Sequence, residues 1–233
     1  MSQLPRSYQT RALRNIAYLR RKKISTTQAV FEALESPSTG ARDIALLCWA
    51  LARLRMRGSS HHLVNLLRSH REDIWMPAAT ALSELNDQQV LQALIELLKT
   101  ARETKRRMAA AYALSFMKAG RAPGALLAAF RTDASVGVRS QAAEGLGNHW
   151  YRPALNDLIR GLKDRSASVR FWCVFALGKI GDARALPFLR RIAKRNSGRM
   201  PRYGLVRKEA QEMIKAIQQK RRYVRTGKGV LPM

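Results

Sequence analysis

Carboxylates are scarce in this chain. Sixteen Asp and Glu face 43 Lys and Arg, a formal net charge of +27 over 233 residues. Small domains stay soluble with a charge magnitude of roughly 2–8, so solubility does not account for the excess. A field of this size attracts polyanions, nucleic acid first, and acidic proteins or anionic surfaces after it. Cysteine is nearly absent as well. Cys48 and Cys173 each lie inside an apolar helical pattern, which excludes a disulfide framework and reads as two buried thiols in a reducing compartment. Histidine numbers four, and no Cys/His cluster has metal-ligand spacing. Long apolar runs are missing. The longest, Ile44 to Ala52, has nine residues, too few to span a bilayer. Gly and Pro, at 14 and 8, are not in excess, while apolar residues make up 46%. Bulk disorder is therefore excluded, and a core can form.

What is present is a period. Leu51, Leu82, Leu114, Leu146 and Leu177 recur at steps of 31 or 32 residues. A step of that size marks a stacked repeat. Each unit reads as helix, turn, helix. First helices are expected near 42–55, 74–85, 105–118, 137–147 and 168–179. Second helices are expected near 61–69, 88–100, 123–131, 153–163 and 185–195. An N-terminal pair falls near 8–20 and 26–35, and a last helix near 204–222. In the fifth unit Asp164 and Ser166 stand where an N-cap is wanted, Gly181-Asp182 punctuates, and Pro187 sits in the first turn of the second helix. The last unit breaks the period. Its apparent anchor, Ile214, follows Leu177 by 37 residues, the excess being the insert 196–202, Asn-Ser-Gly-Arg-Met-Pro-Arg, which reads as an Arg-rich Gly/Pro loop.

Residues 164–195 carry Asp164, then Val169-Arg170, then Ala176 to Asp182 as Ala-Leu-Gly-Lys-Ile-Gly-Asp, then Ala185-Leu186 and Leu189. This closely resembles the HEAT-like repeat of phycobilisome bilin lyases and many other proteins. The fourth unit keeps Asp133, Val138-Arg139 and Gly145-Leu146-Gly147, and the last keeps Val206-Arg207. In the second, Ile74-Trp75 replaces Val-Arg. The resemblance covers about residues 40–220 and implies an all-α fold, a right-handed α-solenoid of about six helical hairpins. It also implies a convex face of first helices and a concave face of second helices. One array is expected over residues 1–222, with 1–35 as an N-terminal cap and 223–233 as a flexible basic tail. In such repeats Arg139, Arg170 and Arg207 pair with the Asp of their own or the next unit, or else touch a ligand. Fold alone says little of function.

The charge is concentrated at the ends. Residues 1–25 hold seven basic and no acidic residues, and residues 196–233 hold ten basic and two acidic. The acid-free start lacks the apolar stretch of a secretory signal and faintly resembles an organelle transit peptide. The expected location is cytoplasmic or nucleic-acid-associated. Runs Arg20-Arg21-Lys22-Lys23 and Lys220-Arg221-Arg222 read as flexible electrostatic clamps. Second helices carry cations late in each unit: Arg68 and Arg71, Lys99 and Arg102, Arg131, Arg160 and Lys163, then Arg190, Arg191, Lys194 and Arg195. Stacking would line them up on one edge, as suits a phosphate backbone; alternatively they complement helix dipoles. Lys105, Arg106 and Arg107 open a first helix, where Glu103 can neutralise one of them. Arg199 and Arg202 belong to the insert. In the turn His149-Trp150-Tyr151, beside Arg152, the usual Gly-Asp is missing, and Trp150 either stacks on nucleobases or packs over the next repeat. Trp49 and Trp172 read as core.

Three function classes follow. The first is a non-enzymatic nucleic-acid-binding repeat protein, for DNA or RNA, with no cofactor and no metal. The second is an adaptor for an acidic protein partner. The third is an enzyme like the alkylpurine DNA glycosylases, with Asp157, near Trp150 and Arg160, as the one plausible acid, although an Asp there is more often a solvated charge. Diiron hydroxylases of this architecture need His-Glu pairs, and no histidine here precedes Glu. Bilin lyase substrates give no reason for +27. No phosphate-binding glycine loop, nucleophile elbow or paired-carboxylate spacing is present.

Overall fold

The computed structural model describes residues 26–55, 58–118, 120–194 and 198–226. The expected helix at 8–20, the run Arg20 to Lys23, and Arg195 lie outside them. Two compact units are present, Met1–Ala113 and Leu114–Met233.

The N-terminal unit contains α1 (Thr26–Glu35), α2 (Ala41–Leu54), α3 (Ser59–Arg68), α4 (Glu72–Leu85), α5 (Leu91–Thr100) and most of α6 (Thr104–Phe116). The C-terminal unit contains α7 (Ala122–Thr132), α8 (Val136–Asn148), α9 (Leu155–Gly161), α10 (Ala167–Ile180), α11 (Leu186–Lys194), strands β1 (Arg199–Met200) and β2 (Gly204–Leu205), and α12 (Val206–Thr226). Consecutive first helices pack side by side, α2 on α4 and α8 on α10. Second helices pack on the first helix that follows them, α3 on α4, α7 on α8, α9 on α10 and α11 on α12.

The five periodic leucines are the reason. All five are fully buried, and each contributes about 1.5–3 kcal/mol by leaving water. After four of the five anchors, the residue four positions on closes the helix. Arg55, Asn86, Trp150 and Gly181 stand there, all with positive φ, 46°, 51°, 47° and 74°. This left-handed position reverses the chain and is ordinarily given to Gly or Asn. An Asp then reopens the chain. Asp87 accepts from the Gln89 amide at 2.9 Å and Asp182 from the Arg184 amide at 3.0 Å. Ser166 caps α10 as its sequence suggests, accepting from the Ser168 amide.

Three expectations need correction. The insert is not an open loop: β1 and β2 pair antiparallel, Arg199 with Leu205 and Met200 with Gly204. Tyr203 in its turn rests on Phe171 and Trp172, ring centroids 5.6 and 5.1 Å away, and this aromatic contact holds the hairpin onto α10. Ile214 is only half-buried, whereas Val206, Ala210 and Ile217 are fully buried and form the inward stripe of α12. Finally, α12 runs to Thr226. Lys220, Arg221 and Arg222 lie in this helix, as do four residues assigned to the tail.

Candidate nucleic-acid interface

The structure first removes arginines from the list of available cations. Arg139 donates from Nη1 to the carbonyls of Asp133 and Ala134, six and five residues back, at 3.0 and 2.8 Å. Arg170 does the same to Asp164 and Arg165 at 2.7 and 2.9 Å, and Arg107 to Ala101 and Arg102 at 2.9 and 2.8 Å. These guanidiniums tie the loop before each first helix to its first turn. In the second repeat Trp75 takes the role, its indole Nε1 donating to the carbonyl of Ser69, again six residues back, at 3.0 Å. That explains how Trp replaces Arg there: the position needs a long side chain with an N–H at its tip. Arg106 also reaches the Ser69 carbonyl, at 3.1 Å, pairs with Glu103 at 3.4 Å, and lies over the Trp75 ring.

Arg71 is not on a second helix, because α3 ends at Arg68. It precedes α4, and its guanidinium donates to the carbonyls of Ser36 and Thr39 at 2.6 and 2.8 Å and to Asp73. Arg71, Arg106 and Arg107 therefore hold the repeats together. Lys105 is exposed beside them, as are Arg68, Lys99 and Arg102.

In the C-terminal unit an open depression of about 530 Å³ lies where α7 and α9 end and α8 and α10 begin. Arg131, Arg139, Arg160 and Lys163 line it, together with Asp157 and Asp164. Asp157 is buried, not the solvated charge its surroundings in sequence suggest. Arg131 grips it with two bonds, Nε to Oδ1 at 2.9 Å and Nη2 to Oδ2 at 2.8 Å, and Arg160 adds Nη2 to Oδ1 at 2.5 Å. The hydrogen bond from Arg131 holds the Asp157 carboxyl below its usual range, opposing desolvation, and Arg160 adds to it. Both guanidiniums remain largely exposed, 52% and 71% of their side-chain surface. A buried carboxylate thus fixes two Arg forks at the rim of a depression, pre-organised for an anion. Arg139 pairs with Asp164 at 3.2 Å on its wall, the pairing with the next unit that the repeat pattern implies.

Elsewhere in this unit Arg190, Arg191 and Lys194 are exposed on α11, Arg152 on the turn before α9, and Arg199 and Arg202 on the hairpin. Trp150 is 61% exposed, so the next repeat leaves most of it open to solvent. Trp172 is buried and Trp49 half-buried. Sequence reasoning missed the Asp157 clamp, since Arg131 and Asp157, 26 positions apart, form no motif. Among the described residues no group of three or more His, Cys, Asp and Glu converges as metal ligands would, and no helix is long and apolar enough to cross a membrane. Both thiols are buried, and desolvation pushes Cys48 up to about 12 and raises Cys173 too.

The HEAT-repeat family profile matches residues 27–115 and 123–215. The chain is a member of the HEAT-repeat family. Its fold is all-α, of the α-solenoid class. Among solved structures, this HEAT-repeat chain is similar to an engineered protein, at 21% identity and a TM-score of 0.53, over 82% of this chain and 96% of that one. At that identity the likeness speaks to the fold alone. Human deoxyhypusine hydroxylase, solved with glycerol, matches at 19% identity and a TM-score of 0.42, over 87% of this chain and 89% of that one. No curated protein matches the chain significantly.

Proposed function

We propose that this HEAT-repeat chain is a non-enzymatic scaffold that binds nucleic acid through its phosphate backbone. The observation that carries the reading is the division of cations in the C-terminal unit. Asp157, Asp164 and Asp182 are already paired, with Arg131 and Arg160, with Arg139, and with Arg184. Lys163, Arg190, Arg191 and Lys194 are exposed, and no ion pair holds them among the described residues. Arg190, Arg191 and Lys194 stand on α11 and Lys163 in the turn after α9; exposed cations held in this way suit evenly spaced phosphates and carry no base readout. The basic termini would add affinity in the same way.

The test is an anisotropy titration with DNA and RNA at two salt concentrations. With about six phosphates engaged, affinity for duplex DNA should fall about a thousandfold between about 50 and about 200 mM salt. Replacing Arg190, Arg191 and Lys194 together by Gln should flatten the logarithmic salt slope by about 3. No binding at low salt, or recovery of an acidic protein partner that survives nuclease treatment, would overturn the reading in favour of the adaptor class.

A further inference from the structure

We propose that Trp150 is a stacking platform for an unpaired nucleobase, so that the chain prefers single-stranded nucleic acid to duplex. The inference rests on the nucleic-acid reading above and adds to it a strand selectivity.

Four observations support it. Trp150 occupies the left-handed position that ends a first helix, where the neighbouring repeat has Gly181 and the second repeat Asn86. A bulky residue at positive φ is uncommon, and the turn does not call for Trp in particular, because Arg55, Asn86 and Gly181 serve the same turn elsewhere in the chain. The indole is also largely open to solvent: at 61% Trp150 is more exposed than Tyr203, Val136, Met76, Phe188 or Phe116. Its backbone is nevertheless firmly held. The Trp150 amide donates to the Gly147 carbonyl at 2.9 Å, the Tyr151 amide to that of Leu146 at 3.0 Å, and the His149 ring lies 2.8 Å from the Leu114 carbonyl. Just below, Gly147 lets α8 approach the Ala176 backbone of α10 so closely that a Cβ there would come within 2.8 Å of it.

The fourth observation is the charge around it. Arg152, two residues on, is exposed, and its field reaches Asp182 in the corresponding turn of the next repeat, where Arg184 also sits. Asp157 and Arg160 stand on α9, which begins five residues after Trp150 and whose seven residues span about 10 Å, and Arg131 reaches Asp157 from α7. One strand can therefore place phosphates on the guanidiniums and a base on the indole. Aromatic faces combined with cations are how single strands are bound without sequence readout. A duplex keeps its base faces stacked inside and offers the indole nothing. Phe188, 41% exposed with Arg191 one turn further along α11, extends the same pattern.

The test is a tryptophan-emission titration of the full chain with oligo(dT) or oligo(U), and with the oligo(dA)–oligo(dT) duplex. The strands should quench emission and the duplex should not. Trp150→Asn, which keeps a residue tolerant of positive φ, should weaken strand binding about five- to hundredfold and leave duplex binding within about twofold. Trp150→Tyr should retain most of the strand affinity, which a merely folding-related loss would not. Strand binding without quenching, or equal loss of strand and duplex affinity in Trp150→Asn, would overturn this inference and leave phosphate binding standing. Absence of any binding would overturn the underlying reading as well.

Discussion

Replacing Asp157 by Asn separates the structural from the chemical reading of the one buried acid in the depression. The substitution keeps the shape and removes the charge that Arg131 and Arg160 grip through three hydrogen bonds. A hydrogen bond to a charged group contributes about 1.5–3 kcal/mol, and its neutral counterpart about half of that. Breaking a fully buried ion pair costs about 3–5 kcal/mol. Here the two guanidiniums are 52% and 71% exposed, so water takes them back when the carboxylate goes. The net loss should be about 1–2 kcal/mol, which for a chain of this size lowers Tm by about 2–8 °C.

Acid modulates the same term. The folded-state pKa of Asp157 lies below its ordinary 3.8. The clamp is therefore complete above that pH and weakens as the folded carboxyl protonates. The stability gap between Asp157→Asn and the parent chain, measured by urea unfolding, should be largest at neutral pH and shrink below about pH 4. Nucleic-acid affinity should hold or tighten, because one negative charge leaves the depression. An unchanged Tm together with lost binding would refute the clamp. Release of an alkylated base by the parent chain that Asn abolishes would refute the non-enzymatic reading.

Two further outcomes follow from the packing. Arg139→Ala removes the donor to the Asp133 and Ala134 carbonyls and the ion pair of the half-buried Asp164, which keeps only the Ser166 amide, and should cost about 2–3 kcal/mol in urea unfolding. Arg139→Lys should restore less than half of that, since an ammonium cannot span two carbonyls and a carboxylate as the fork does. Gly147→Ala should destabilise by about 1–3 kcal/mol, because its Cβ meets the Ala176 backbone at 2.8 Å. Gly124→Ala on α7, with nothing within 4 Å, should instead stabilise by about 0.5–1 kcal/mol; equal thermal shifts for the two would sink the close-approach argument.

The repeat was legible because a single physical demand recurs. Five first helices each bury one leucine at the same depth, so the leucine stands where the rest of the pattern departs. The function of Trp75 was not legible, because the position asks for an N–H donor at the end of a long side chain and accepts two unrelated residue types to provide it. The hairpin at 199–205 was hidden for another reason. Its stability lies in Tyr203 meeting Phe171 and Trp172, a contact across some thirty residues of sequence that no local pattern encodes. Cations were easiest to count and hardest to assign. Arg71, Arg106 and Arg107 look like surface charge in sequence, yet their donors are turned onto backbone carbonyls of the repeat junctions.

That assignment bears on what +27 can do. Charge at the clamp positions, Arg107, Arg139 and Arg170, cannot be offered to a ligand without releasing the loop carbonyls it holds, so removing it should lower stability. Charge at Lys163, Arg190, Arg191 and Lys194 holds no such contact among the described residues and is exposed. Removing it relieves self-repulsion, so stability should hold or rise. The two sets therefore respond in opposite ways. Neutralising a clamp should lower Tm and leave the salt slope of nucleic-acid binding unchanged while the fold persists. Neutralising an exposed cation should lower the slope by about 0.9 for each phosphate lost and leave Tm unchanged or higher. A solvated coat of charge without a partner would show neither separation.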